Sequence, residues 1–208
     1  MENKRDTWFY VGKNTKFYPY SPTLRSISIG DIAHALSNQV RFLGHVSQFY
    51  SVSEHSVLVL RAMEADFGED KKYIPHLKHA LMHDTAEAFL NDMPTPLKRM
   101  FPDYQKLENI IFQKICQKYR MIWPIPIPMK KLIKYYDSVI LATEVTKLKK
   151  HTNLASWGLP LPLNNSIIHC FEPTVAKIRF LWEFRKLFGT SFDSEIFCDL
   201  PNFFLDKR

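Results

Sequence analysis

Between Asp31 and Phe188 apolar residues recur at helical spacing in six stretches, and prolines or polar loops cut those stretches apart. A chain patterned this way can bury its apolar stripes only by packing helices side by side. Ile32, Ala35 and Leu36, behind Asp31 as a candidate N-cap, predict a short helix to about Gln39. Ser53 is the expected start of a second, on which Val57, Leu58, Leu60 and Met63 form a broad apolar face to about Phe67. A third is predicted from about Pro75 to Leu90, with Leu77, Ala80, Leu81, Ala86 and Ala88 apolar. Met93-Pro94-Thr95-Pro96-Leu97 stops it, because each proline removes a donor and fixes φ.

Asp103 reads as the cap of a fourth helix through Tyr119, striped by Leu107, Ile110, Ile111 and Ile115. The proline-punctuated run from Trp123 to Met129 is expected to be a non-helical connector. A fifth helix, from about Lys130 to Lys150, carries Leu132, Ile133, Tyr136, Val139, Ile140 and Val145. A polar loop with Trp157-Gly158 follows, then a sixth helix from about Pro173 to Phe188. Residues 7 to 29 alternate aromatic and polar side chains around Gly12-Lys13-Asn14 and contain Pro19 and Pro22, which predicts a hairpin or extended arm. The expectation is an all-α bundle with a short extended or hairpin N-terminal segment. Residues 1–29 form the arm, 30–188 the helical core and 189–208 a tail whose Phe203-Phe204-Leu205 docks on the body.

A length of 208 residues suits one domain with a core of its own, and 46% hydrophobic with 24% charged residues excludes a disordered chain. No run approaches the roughly 20 apolar residues of a membrane span. Met1-Glu2-Asn3-Lys4-Arg5-Asp6 lacks the apolar stretch of a signal peptide, so a cytoplasmic protein is expected. Cys116, Cys170 and Cys198 are odd in number and widely spaced, which predicts reduced, buried, unreactive thiols. The net charge of +7 favours anionic partners.

Of eight histidines, those beside carboxylates matter most. His83-Asp84 offers imidazole and carboxylate together, a mixed set that suits Zn, Mn, Fe, Co or Ni better than calcium. His55, in Ser53-Glu54-His55-Ser56, and Asp137, in Tyr135-Tyr136-Asp137-Ser138, are polar residues set in apolar helices, costly to bury without strong partners. His34, His45, His76, His151 and His169 read as ordinary, satisfied or exposed histidines. Lys147, Lys149 and Lys150 read as a solvated face.

The order His55, His83-Asp84, Asp137, with intervals of 28 and 53 residues, resembles the signature of HD-domain metal-dependent phosphohydrolases. Val52-Ser53-Glu54-His55-Ser56, His83-Asp84-Thr85-Ala86-Glu87 and Asp92-Met93-Pro94-Thr95-Pro96-Leu97-Lys98 resemble segments of bacterial 5′-deoxynucleotidases. Asp31-Ile32-Ala33-His34-Ala35-Leu36-Ser37 and the Arg41-Phe42 and Gly44-His45 pairs are more similar to a phage-encoded branch that includes dATP triphosphohydrolases. The resemblance spans residues 7 to 187 and implies an HD-domain helical bundle.

It also implies roles. His55, His83, Asp84 and Asp137 would hold a divalent ion (Zn, Co, Mn, Ni, Fe or Mg), which would acidify a water and polarise the phosphorus. Glu87, expected on the same helix face as His83 and Asp84, is the implied acid/base or water-orienting residue. Asp92 matches the residue that bonds the sugar 3′-hydroxyl, and Arg41 the phosphate-binding arginine. Phe42 stands where the deoxynucleotidases carry tryptophan, against the sugar. Charge and position add Lys98 as a contact for a β- or γ-phosphate, and place His79, one turn before His83, behind the ligands or on the pocket wall.

The implied activity is hydrolysis of 2′-deoxynucleoside phosphates at the α-phosphorus. The expected substrate is a dNTP, dATP in particular, giving deoxynucleoside and triphosphate. A 5′-deoxynucleotidase releasing phosphate from dNMPs is the alternative. Outside enzymes, a nucleic-acid-binding module with a vestigial metal site remains, but no recognition motif is visible. A homo-oligomer without membrane or nucleic-acid partners is expected.

Overall fold

The structure, a computed structural model, describes residues 7–149 and 153–197. It is an all-α fold with one small hairpin. Strands β1 (Phe9–Val11) and β2 (Thr15–Phe17) pair antiparallel, with Phe9 opposite Phe17 and Val11 opposite Thr15. Gly12 makes the turn in the left-handed region (φ 54°), and a Cβ there would meet the Asp31 carboxylate at 2.6 Å. Phe17 is fully buried and stacks on Phe89, with ring centroids 4.2 Å apart. That stack fastens the arm to the segment just beyond His83-Asp84.

Helix α1 (Ile29–Asn38) starts three residues earlier than its sequence suggests, and Asp31 is not its cap. Ser28 sits at the cap without a side-chain bond. The Ile29 amide donates instead to Glu195 Oε2 at 3.0 Å, which puts a carboxylate at the positive end of the helix. Helix α2 (Val52–Phe67) is capped by Ser51 rather than Ser53, its hydroxyl accepting from the Glu54 amide at 3.1 Å. It is the central element, packed on α3 (Ile74–Met82), α7 (Ile127–Leu148) and α8 (Pro173–Phe188).

The predicted helix from Pro75 to Leu90 is broken. After α3 ends at Met82, residues 83–86 form tight turns, and a single further turn, α4 (Glu87–Leu90), follows. The Thr85 hydroxyl donates to the Met82 carbonyl at 2.6 Å, and the Thr85 and Glu87 amides bond back three residues rather than four. A short side chain competing for helical carbonyls is the local cause.

Two predicted connectors contain helix. Thr95–Lys98 forms α5, and Ile127, Pro128 and Met129 already belong to α7, while the expected fourth helix is α6 (Pro102–Lys118), which starts before Asp103 with Phe101 at its cap. Prolines 96, 102 and 128 occupy first-turn positions, where a missing N–H costs nothing. The packed body also continues past residue 188: α9 (Asp193–Phe197) lies on α1 and buries Ile196. Cys116 is buried but Cys170 is only half-buried. Lys150, His151, Cys198 and Phe203-Phe204-Leu205 lie outside the described residues. No helix among the described residues is long and apolar enough to cross a membrane.

Candidate metal centre

His55 stands in the first turn of α2, His83 and Asp84 just beyond α3, and Asp137 midway along α7, so four residues from three helices meet in the core. His55 Nε2 lies 3.2 Å from Asp137 Oδ1 and 3.6 Å from Asp84 Oδ2. His83 Nε2 lies 3.1 Å from Asp84 Oδ2 and 4.0 Å from Asp137 Oδ1. The structure thus brings together all four residues expected to be ligands.

Their tautomers follow from their partners. His55 Nδ1 is 2.6 Å from Glu144 Oε1, and His83 Nδ1 is 2.9 Å from the Ala80 carbonyl. Each acceptor draws the ring proton to Nδ1 and leaves Nε2 with a lone pair. Both Nε2 atoms are buried, and neither makes a hydrogen bond of normal geometry with the facing carboxylates. Two lone-pair nitrogens facing carboxylates suit a cation. One donor atom each from His55, His83 and Asp84 falls within 4.8 Å of the others, so this group can hold a metal ion. Asp137 sits beside it as a fourth donor, with Lys134 Nζ at 2.7 Å on its other oxygen.

The charges agree. Burial and the Arg41 charge push the His55 imidazole down, but Glu144 and Asp137 outweigh them and raise it to about 9. Burial opposes ionisation of Asp84 and Asp137, yet the two histidines hold both below the usual carboxylate range. The carboxylates around His55 thus favour positive charge at this point.

Glu144, two turns after Asp137 on α7, was not anticipated. It is fully buried, accepting from His55 Nδ1, from Tyr50 Oη at 2.7 Å and from Arg41 Nη2 at 3.1 Å. A glutamate between Thr143 and Val145 in an apolar helix is the signal that could have found it.

The Arg41 backbone is tied to the start of α2, its amide donating to the Tyr50 carbonyl at 2.9 Å. Phe42 and Leu43 follow in left-handed conformation (φ 57° and 53°), costly for residues with side chains. Arg41 is buried, with Nη1 3.8 Å from Asp84 Oδ2, and its Nε has no partner. The Phe42 ring lies between Arg41 and Lys149, at 5.5 and 5.3 Å. Burial raises the Asp92 carboxyl while Arg41 opposes the rise, which sets Asp92 in the same electrostatic neighbourhood.

Glu87 does not share a helix with His83, because the turn at 83–86 intervenes. The turn nevertheless points it inward. It is 3% exposed, its Oε2 is unpartnered, and burial with the Asp84 and Asp92 charges raises its carboxyl well above the usual range. Lys98 is not free to clamp a distal phosphate: its Nζ lies 3.2 Å from Glu87 Oε1 and 2.6 Å from Glu108 Oε1. His79 is 1% exposed and lines the cavity that reaches His83, Asp84 and Asp137. That cavity measures about 450 Å³. A wider groove of about 670 Å³, between the hairpin, α1 and α8, touches none of the ligand residues.

Fold and cluster define a class: an all-α protein whose His/Asp group, with His55 buried and His83 and Asp84 half-buried, could hold a metal ion. No family model matches the chain. It belongs to the family of the uncharacterized protein YfdR of Escherichia coli, with which it is 43% identical over 135 residues, 65% of this chain and 67% of that protein. It is also 32% identical over 131 residues to an uncharacterized protein of Rhodobacter capsulatus, covering 61% of this chain and 65% of that one, a little under two thirds of its length.

Proposed function

We propose that the protein is an HD-domain, divalent-metal-dependent phosphohydrolase acting on 2′-deoxynucleoside phosphates at the α-phosphorus. The observation that carries this reading is the convergence of the unpartnered His55 and His83 Nε2 atoms on Asp84 and Asp137, with Arg41 alongside.

His55, His83, Asp84 and Asp137 would hold the ion, which supplies Lewis acidity to a phosphate oxygen and a water. Arg41 turns Nη2 to Glu144 and Nη1 toward Asp84, and its unpartnered Nε is left for a phosphate oxygen. Water oxygen bonds to the α-phosphorus as the bond to the sugar O5′ breaks, and the deoxynucleoside leaves with a proton on O5′. Glu87, its Oε2 unpartnered, accepts or orients the water proton. Asp92 and Phe42 flank Arg41 on the side assigned to the sugar. Phe42, if it forms an apolar wall beside C2′, would select against an added hydroxyl by about 10²-fold.

For a dNTP such as dATP the products are deoxynucleoside and triphosphate. A second reading, release of phosphate from a dNMP, gains support from the double pairing of Lys98 with Glu87 and Glu108, which removes the cation expected to hold a distal phosphate. Incubating metal-reconstituted protein with all four dNTPs, the dNMPs and the matching ribonucleotides, and resolving phosphate, pyrophosphate and triphosphate, tests both. Intact triphosphate from dNTPs supports the first and phosphate from dNMPs the second. No turnover of any of them with bound metal overturns the proposal.

A further inference from the structure

The cavity beside the metal centre is built between α6, the segment preceding α7, and α7 itself. Its walls are Phe112, Trp123, Ile125 and Ile133, and its floor carries His83, Asp84 and Asp137. Trp123 and Phe112 meet edge to face with ring centroids 6.0 Å apart. The His79 ring stands 6.2 Å from Phe112, at the back.

His79 is the unusual member. It is almost wholly buried, and neither ring nitrogen has a hydrogen-bond partner. The Ile122 carbonyl influences the ring without a bond of normal geometry. A buried imidazole with unmet capacity is costly unless something else completes it. At the mouth, Asn109 Nδ2 donates to the Gln105 carbonyl at 2.9 Å, which leaves its Oδ1 as an acceptor. The cavity therefore offers flat aromatic walls, a buried hydrogen-bonding group at the back and an amide oxygen at the rim. A polyphosphate would be desolvated against Trp123, Phe112 and Ile133, and of the lysines at the edge Lys134 already faces Asp137.

We propose that this cavity binds the nucleobase of the substrate, a planar nitrogen heterocycle stacked on Trp123, with His79 and Asn109 meeting its polar edge. The inference rests on the phosphohydrolase reading for the rest of the substrate but not for the base. The base should bind alone.

The test begins with metal-free protein and the four 2′-deoxynucleosides, measured by equilibrium dialysis. Trp123→Leu should weaken nucleoside binding about 5- to 150-fold, the usual range for losing one stacked base. His79→Phe keeps the ring volume and should change the ranking among the four bases. Asn109→Ala, at an exposed position that cannot compromise folding, should lower affinity several-fold. In the metal-loaded protein, Trp123→Leu should raise KM for the nucleotide by a similar factor with kcat within about twofold, and leave kcat/KM for 2-deoxyribose 5-phosphate unchanged. Absence of nucleoside binding to the unsubstituted protein, or an equal loss on substrates with and without a base, overturns the assignment. Turnover with an unaffected Trp123→Leu variant removes this inference alone. Nucleoside binding lost in Trp123→Leu, without turnover of any phosphoester, removes the phosphohydrolase reading alone.

Discussion

Glu144 Oε1 lies 2.6 Å from His55 Nδ1, and the same carboxylate holds Arg41 Nη2 at 3.1 Å on its other oxygen. One buried residue therefore sets the tautomer of His55, a proposed metal ligand, and the position of Arg41, the arginine proposed to bind phosphate. Glu144→Gln keeps the shape but offers a single acceptor oxygen, and should weaken metal affinity about 10- to 100-fold, the usual effect of losing such a partner. Glu144→Ala strands the Arg41 charge in the core and should cost about 3–5 kcal/mol of stability. Metal titration and urea unfolding read the two effects separately.

The ligand set makes a prediction about stability as well as activity. A divalent ion at a thousandfold excess over its Kd should stabilise the protein by about 4 kcal/mol. His83→Ala should abolish both that gain and turnover. Tight stoichiometric metal retained in the variant would show that His83 is not a ligand.

Glu87 is predicted to act in the reaction and not in binding. Glu87→Gln should leave metal and nucleotide affinity near normal and lower kcat by about 10²- to 10⁴-fold. A near-native kcat would leave Glu87 as the partner of Lys98 only.

How far the sequence could lead is visible at these positions. His55 and Asp137 stood out as polar residues in apolar helices and His83-Asp84 as an imidazole beside a carboxylate, the grouping of the four came from the family resemblance, and the helices around them were legible from their stripes. The break at 83–86 was not, since Thr85 and Ala86 fit a helix pattern and only the Thr85 hydroxyl bond to Met82 ends it. Lys98 misled because charge and sequence position say nothing of Glu87 and Glu108, which reach it from two other elements. Glu144 was hidden by its distance of 103 residues from Arg41 and 89 from His55.

The buried His79 should leave a mark on acid stability. Burial is the main cause that lowers its imidazole to about 4, with the Ile122 carbonyl opposing and the His76 charge adding to the fall. Below its ordinary value near 6.5 the unfolded chain takes up a proton that the folded chain refuses, so this residue's contribution to stability declines as pH drops from about 6.5 to about 4 and is level beyond. His79→Leu should flatten that part of the pH dependence of the urea midpoint. An unchanged slope across the window would mean that the ring is protonated in the folded protein.

The segment that leads into α8 is held in place by Glu54. Glu54, 4% exposed and next to a metal ligand in sequence, faces away from the metal centre: its carboxylate accepts from the His169, Cys170 and Phe171 amides at 2.8, 3.1 and 2.9 Å. Three backbone donors on one carboxylate hold Cys170 in its left-handed conformation (φ 55°). Glu54→Ala leaves those donors without their acceptor and should destabilise the fold by about 2–4 kcal/mol. Glu54→Gln, which keeps one good acceptor, should lose less. Because neither oxygen faces the cluster, metal affinity should stay within about twofold of the parent in both variants. A large loss of metal in Glu54→Gln with normal stability would tie this carboxylate to the metal centre instead of to the chain entering α8.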